Sequence, residues 1–292
     1  MPEADTPTTP VLKNIVIATD FSPASDSAVL YSLGLARRNK AKVWIVHVIT
    51  DTFFSGETQQ RATDDAWREG HRRMTEHFIS GRLDGVDAKL LVEPGGIFEV
   101  LDRVMTENHA DLLVLGTRGR SRIGKLLLGS AAESIFRQAP YPVLTVGPRT
   151  GADIPPEGPR KILMCTGFSQ HSLAACDLAI RIAELQKAEL LLMHVGAEFE
   201  TERDSYVKRA TARLQSLVSN SAQLATPLKT IVVFGTPSEQ ILAVANEEKP
   251  DLIVMGIRQP ESFTRRLRWA TAYDVVSNAP CPVLTVRTPQ SD

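Results

Sequence analysis

Long apolar runs are missing from this 292-residue sequence: no stretch of 18 apolar residues occurs, so no membrane span is expected. Cysteine is scarce. Cys165, Cys176 and Cys281 are odd in number and lack metal-ligand spacing, which fits reduced, mostly buried thiols of a cytoplasmic protein. An excess of one charge is lacking too. Lys and Arg number 33 against 34 Asp and Glu, a net charge of −1 that argues against a general pull towards nucleic acid or an anionic membrane. Any positive site must therefore be local. The opening "MPEADTPTTPVLKN" has neither the basic nor the apolar region of a signal peptide, and residues 1–12 read as a disordered tail. No GxxxxGK[ST] loop, no GxGxxG after the first strand and no glycine-flanked nucleophile elbow is present. His71 and His77 are six apart, off the spacing that puts two ligands on one helical face, so no metal pair is expected.

What is present is a repeat. "KNIVIATDFSPASDSAVLYSLGLARRNKAKVWIVHV" at 13–48 is echoed by "RKILMCTGFSQHSLAACDLAIRIAELQKAELLLMHV" at 160–195, and Thr19/Thr166, Phe21/Phe168, Ser22/Ser169 and His47/His194 are all 147 apart. "ADLLVLGTRG" returns as "PDLIVMGIRQ", and "APYPVLTV" as "APCPVLTV", both 140 apart, as are Gly95 and Gly235. The Gly- and Pro-rich 147–160 joins the copies, which gives a first domain over 13–148, a linker over 149–159 and a second domain over 160–288.

Within each copy, Val-, Ile- and Leu-rich runs alternate with helical patterns. In the first, "IVIAT" leads to Ser22 as N-cap and Pro23 at the first helical position, with the helix continuing to about Lys40. "KVWIVHV" follows, then a polar stretch from Asp51, a helix in "DDAWREGHRRMTEHFISG", and three more strands in "AKLLVEPGG", "DLLVLG" and "PVLTVG" separated by helices. The pattern predicts an α/β fold: two tandem doubly wound domains, each a mostly parallel five-stranded sheet with helices on both faces. In such sheets ligands sit at the carboxyl ends of the strands, which places Asp20, Val48 and Gly116 at one mouth.

After "DLLVLG" comes "GTRGRSRIGKLLLGS", with Gly116, Gly119, Gly124 and Gly129 among basic residues. A helix starting near Ser130 offers unpaired N–H groups and a positive dipole end to an anion. Glycine at 116 and 119 keeps Cβ atoms out of a ligand's way, and Arg118, Arg120, Arg122 and Lys125 supply charge. Glu133 suits helix capping. On these residues alone, a phosphate loop and a solvated basic turn both remain open.

Gly116-x2-Gly119-x9-Gly129-Ser130 matches the nucleotide-binding signature of the universal stress protein family, and "IVIATDFSPASDSAV", "LLLGSAAESI" and "PYPVLTV" sit where that family has them. The chain resembles a tandem member. The resemblance implies an ATP pocket in the first domain, with a magnesium ion accompanying the phosphates. Ala18, Thr19 and Asp20 would border adenosine, Val48 would present main chain to the adenine edge, and Leu115 and Gly116 would lie beside ribose and phosphates. Arg118, Gly119, Gly129, Ser130 and Ala131 would hold the phosphate chain. It also implies that the two domains pair through their last strands, leaving a further homodimer open.

The second copy departs at these positions: Gly167, Gln259, Trp269 and Ala270 stand where Asp20, Gly119, Gly129 and Ser130 stand, and only Gly256 survives. ATP is therefore expected in the first domain only. His47 and His194, at one place in both copies, read as structural. Two function classes follow: a nucleotide-dependent stress or regulatory protein, or a slow ATPase or phosphotransferase. Nothing near the loop supplies an evident water-activating residue, which favours binding.

Overall fold

The computed structural model describes residues 12–50, 57–78, 81–117, 128–147, 150, 157–219, 222–257 and 270–287. The first half runs β1 (Asn14–Ala18), α1 (Pro23–Asn39), β2 (Lys42–Ile49), α2 (Glu57–Phe78), β3 (Asp87–Pro94), α3 (Ile97–Glu107), β4 (Leu112–Gly116), α4 (Ser130–Gln138) and β5 (Val143–Val146). The second runs β6 (Lys161–Cys165), α5 (Gln170–Gln186), β7 (Glu189–Gly196), α6 (Arg203–Ser216), β8 (Lys229–Phe234), α7 (Pro237–Glu248), β9 (Leu252–Ile257), α8 (Ala270–Asn278) and β10 (Val283–Arg287).

The strands lie in the order β3-β2-β1-β4-β5-β10-β9-β6-β7-β8. Every pairing inside a half is parallel, and β5 meets β10 antiparallel with Leu144 opposite Leu284. Two five-stranded sheets thus form one ten-stranded sheet. Thr145 and Thr285 fasten the seam reciprocally, each hydroxyl donating to a carbonyl across it, at Val283 and Val143.

Period-two alternation splits each strand between two cores. Ile15, Ile17, Leu112 and Val114 face the layer that holds α1 and α2, while Val16, Leu113 and Leu115 face α3 and α4. Each core continues through both halves, with Ile162 and Met164 in one and Leu163 and Ile253 in the other. Asp111 and Asp251 show the repeat at the level of single bonds. Each carboxylate accepts the two backbone N–H groups that open the neighbouring first strand, at Lys13 and Asn14 and at Arg160 and Lys161.

The helix starts follow the local signals. Ser22 caps α1 by accepting from the Ser25 N–H, Pro23 takes the first turn, and Lys40 ends the helix at φ 51°. The helix read from Asp64 starts earlier, since α2 is helical from Glu57. Over 63–78 its exposed side is polar, with Arg72 paired to Glu69 and Glu76, while Met74 and Phe78 are buried. Its first residues, ETQQRA, carry no large apolar side chain, so the sequence shows no helical stripe there. Leu12, assigned to the tail, is 2% exposed and packs in the core. Residues 1–11 lie outside the described residues. No described helix is long and apolar enough to cross a membrane.

Candidate functional site

The chain leaves β1 to build β2 and β3 on one side, then returns to build β4 and β5 on the other. The reversal falls between β1 and β4, and a crevice opens at the carboxyl ends of strands at such a point. Ala18 pairs with Val46, so β1 ends two residues short of Val48 on its neighbour. Thr19, Asp20 and the main chain at Val48 and Gly116 therefore border this crevice.

Asp20 is half-buried, and its Oδ1 accepts the Ser22 N–H at 3.0 Å. Burial disfavours its ionised form, but hydrogen bonds from Ser22 and Ser25 outweigh that and hold the carboxyl below its ordinary range. It is an anion at neutral pH. Thr19 ties the turn together: its hydroxyl bonds that of Ser25 and accepts the Phe21 N–H, which lets Phe21 take φ 60°. Its carbonyl bonds His47 Nδ1 at 2.8 Å. The second half repeats this with Thr166, Ser172, Phe168 at φ 57° and His194. Ser25 and Ser172 were missed on the sequence, although the same 147-residue offset would have found them.

Gly116 needs a different explanation from ligand clearance. A Cβ there would lie 2.8 Å from the Ala24 carbonyl carbon and 2.9 Å from the Ser25 nitrogen. Gly256 stands likewise against α5, where a Cβ would come within 2.6 Å of Ser172 Cα. Both glycines let the first turn of a helix press on a strand end. That is why Gly256 persists where the phosphate signature has gone. Leu115 turns its side chain into the core facing α3 and α4, leaving only main chain for a ligand.

On the far side of the crevice, α4 begins at Ser130 with Gly129 as N-cap and no side chain capping it. Its first N–H groups have no intrahelical acceptor, and this is the positive end of the helix. Thr117 fixes this end: its N–H donates to Val146 O and its carbonyl accepts the Gly129 N–H at 2.8 Å. Glu133 does not cap. With Gly129 as cap it stands in the fourth helical position, and its carboxylate pairs forward with Arg137 at 2.7 Å. Ala18, Thr19, Asp20, Val48, Gly116, Gly129, Ser130 and Ala131 thus all lie on elements that meet at one end of the sheet. Arg118 and Gly119, with Arg120, Arg122 and Lys125, lie outside the described residues, as do Gln259 and Trp269 and the basic residues 258, 265, 266 and 268.

The corresponding end of the second half holds a cleft of about 340 Å³. It is bounded by Cys165 and Gly167 after β6, Met193 on β7, and Met255 and Ile257 on β9. Phe136 of α4 reaches it from the other half. His194, beside but not lining the cleft, makes a chain, with Nδ1 on Thr166 O and Nε2 on the Tyr206 hydroxyl at 2.8 Å. Burial holds its pKa below the ordinary histidine value despite the Thr166 bond, with Arg213 adding to the lowering. His77 bonds Asp26 at 2.6 Å.

Residues 12–147 and 158–287 each match the sequence model of the universal stress protein family. Over 287 residues the chain is 24% identical to universal stress protein Rv2005c of Mycobacterium tuberculosis, covering 94% of this chain and 96% of that one. A single-length relative, the putative universal stress protein SAUSA300_1656 of Staphylococcus aureus, is 33% identical over 141 residues, 46% of this chain and 83% of that one. The solved universal stress protein of Archaeoglobus fulgidus shares the fold with a TM-score of 0.70, 20% identity, and coverage of 94% of this chain and 98% of that one. With both halves matched, this chain belongs to the universal stress protein family as a tandem member.

Proposed function

We propose that the first half binds ATP and the second does not, and that nucleotide occupancy sets the state of a stress-response regulator. What supports the reading is one juxtaposition: the N-terminal end of α4, opened by Gly129, faces the ends of β1 and β4, where Asp20 is ionised. A polyanion and a polar nucleoside need those two features, a helix N-terminus for phosphate and an acceptor for ribose or base hydroxyl and amine donors.

The residues fit the nucleotide. Gly129, Ser130 and Ala131 would hold phosphate oxygens, and Asp20 with the Val48 main chain would orient the nucleoside. No group of His, Cys, Asp and Glu suited to a metal occurs among the described residues, so magnesium would come with the phosphates it neutralises. The second half has Gly167 for Asp20 and Ala270 for Ser130. It lacks both the acceptor and the hydroxyl.

We take the two halves to act in solution as a dimer-like unit within one chain, a reading that the β5–β10 ladder supports. Calorimetric titration of the full chain with Mg-ATP tests the reading. One ATP per chain, lost in Gly129→Trp with the fold kept, is expected. Two ATP per chain, none, or one that survives Gly129→Trp would overturn it.

A further inference from the structure

The cleft of the second half remains without an occupant once ATP is assigned to the first. It lies where a doubly wound sheet places ligands, between β6 and β9, where strand order reverses. Its 340 Å³ is at the small end of ligand-pocket sizes, and its described walls are mostly apolar with a few polar groups, the usual make-up of a small-molecule site.

Three features of its chemistry bear on what it can hold. No Asp, Glu, Lys or Arg occurs among the described residues that line it. The hydroxyls at its polar end are already engaged with each other, Thr166 donating to Ser172 at 3.0 Å and Ser172 donating to the Ser169 carbonyl at 2.7 Å. The Cys165 thiol is buried, and burial pushes its pKa up, so it adds no thiolate. A charged ligand would lose its hydration there without gaining a described counter-ion.

The space is also shaped from both halves. Phe136 comes from α4, and Arg287 of β10 donates to the Phe136 and Arg137 carbonyls that end this helix. The aromatic wall is thereby fixed by a buried cross-seam clasp. At the other end of the cleft, a Cβ built on Gly167 meets nothing within 4 Å, so the missing carboxylate leaves room.

We propose that this cleft binds a compact, uncharged, largely apolar molecule, with Phe136 and Met255 as contact walls and Gly167 as the position that excludes nucleotides in favour of such a ligand.

Two fluorescent probes with one ring skeleton test the charge requirement: neutral N-phenyl-1-naphthylamine and its sulfonated analogue 8-anilino-1-naphthalenesulfonate. Titrated onto the full chain with saturating Mg-ATP present, the neutral probe is expected to bind saturably, one per chain, and the anionic probe at least about tenfold more weakly. Gly167→Asp is expected to weaken the neutral probe about tenfold while Gly167→Asn leaves it within about threefold, since the two substituents match in size and differ in charge. Thermal melts of both variants establish that each folds, open space at Gly167 making this the expected result. Equal binding of both probes, displacement of the neutral probe by ATP, no saturable binding, or equal effects of Asp and Asn would overturn the proposal.

Discussion

The two halves of this chain keep the same bonds where the fold needs them and differ where a ligand would touch. Thr19 and Thr166, Ser25 and Ser172, His47 and His194, Asp111 and Asp251 each perform one task twice. Asp20 and Ser130 have Gly167 and Ala270 as counterparts. A repeated residue is therefore a statement about the scaffold, and a changed one about the site. Gly116 shows how easily the two are confused. It belongs to a phosphate signature, yet its counterpart Gly256 survives in a half that has lost the rest, because both glycines admit a helix against a strand end.

The seam carries a second asymmetry. Arg287 is 6% exposed and grips the end of α4, while its counterpart in the first half is Gly147, where a Cβ would lie 3.7 Å from Thr117 Oγ1 and 4.0 Å from the carbonyls of Val276 and Ala279 at the end of α8. Burial lowers the Arg287 guanidinium to about 10, a cost that the helix-end carbonyls offset. The α4 helix, with its N-terminus at the proposed nucleotide site, is thus anchored at its other end by the second half.

Changes at these contrasts would separate the halves further. The largest effect belongs to Gly129→Trp, which installs the second half's residue and should weaken ATP at least a hundredfold, about 2.7 kcal/mol, in calorimetric titration. Next, Gly256→Ala should destabilise by about 2–2.5 kcal/mol and Gly116→Ala by about 1–2 kcal/mol, read from denaturant midpoints, because backbone stands closer to the first Cβ than to the second. A Gly116→Ala variant of full stability would restore the ligand-clearance account of that residue. Arg287→Gly, which makes the seam symmetric, should cost about 1–2 kcal/mol by leaving buried carbonyls without their donor.

The smallest effect is that of pH. The folded-state pKa of His194 lies below that of the unfolded chain, so between the ordinary value of 6.5 and the lowered one the unfolded state binds more protons. Stability conferred above 6.5 is lost as pH falls through that window. His194→Gln should flatten this part of the stability curve, and an unchanged slope would remove His194 as its source.

How much could be read without coordinates depended on the range of each signal. The repeat, the strands and the capped start of α1 rest on period and neighbouring residues, and these were legible. The early turns of α2 were not, since ETQQRA carries no large apolar residue to mark a helical period. At the site, the strand-end residues were legible from topology rules. Thr117 was not, because its task of fastening Gly129 to β4 uses backbone atoms that any residue type provides.

The sequence by itself determined that there are two copies of one α/β unit and that only the first retains the signature residues. The resemblance already implied pairing of the last strands, as β5 and β10 do; tertiary structure alone decided that Phe136 walls the opposite cleft and that Arg287 holds α4 across the seam. The reason is physical. Periodicity and capping act within a few residues and leave their mark on composition, whereas contacts between residues about 150 apart depend on two surfaces fitting, and fit leaves no local pattern.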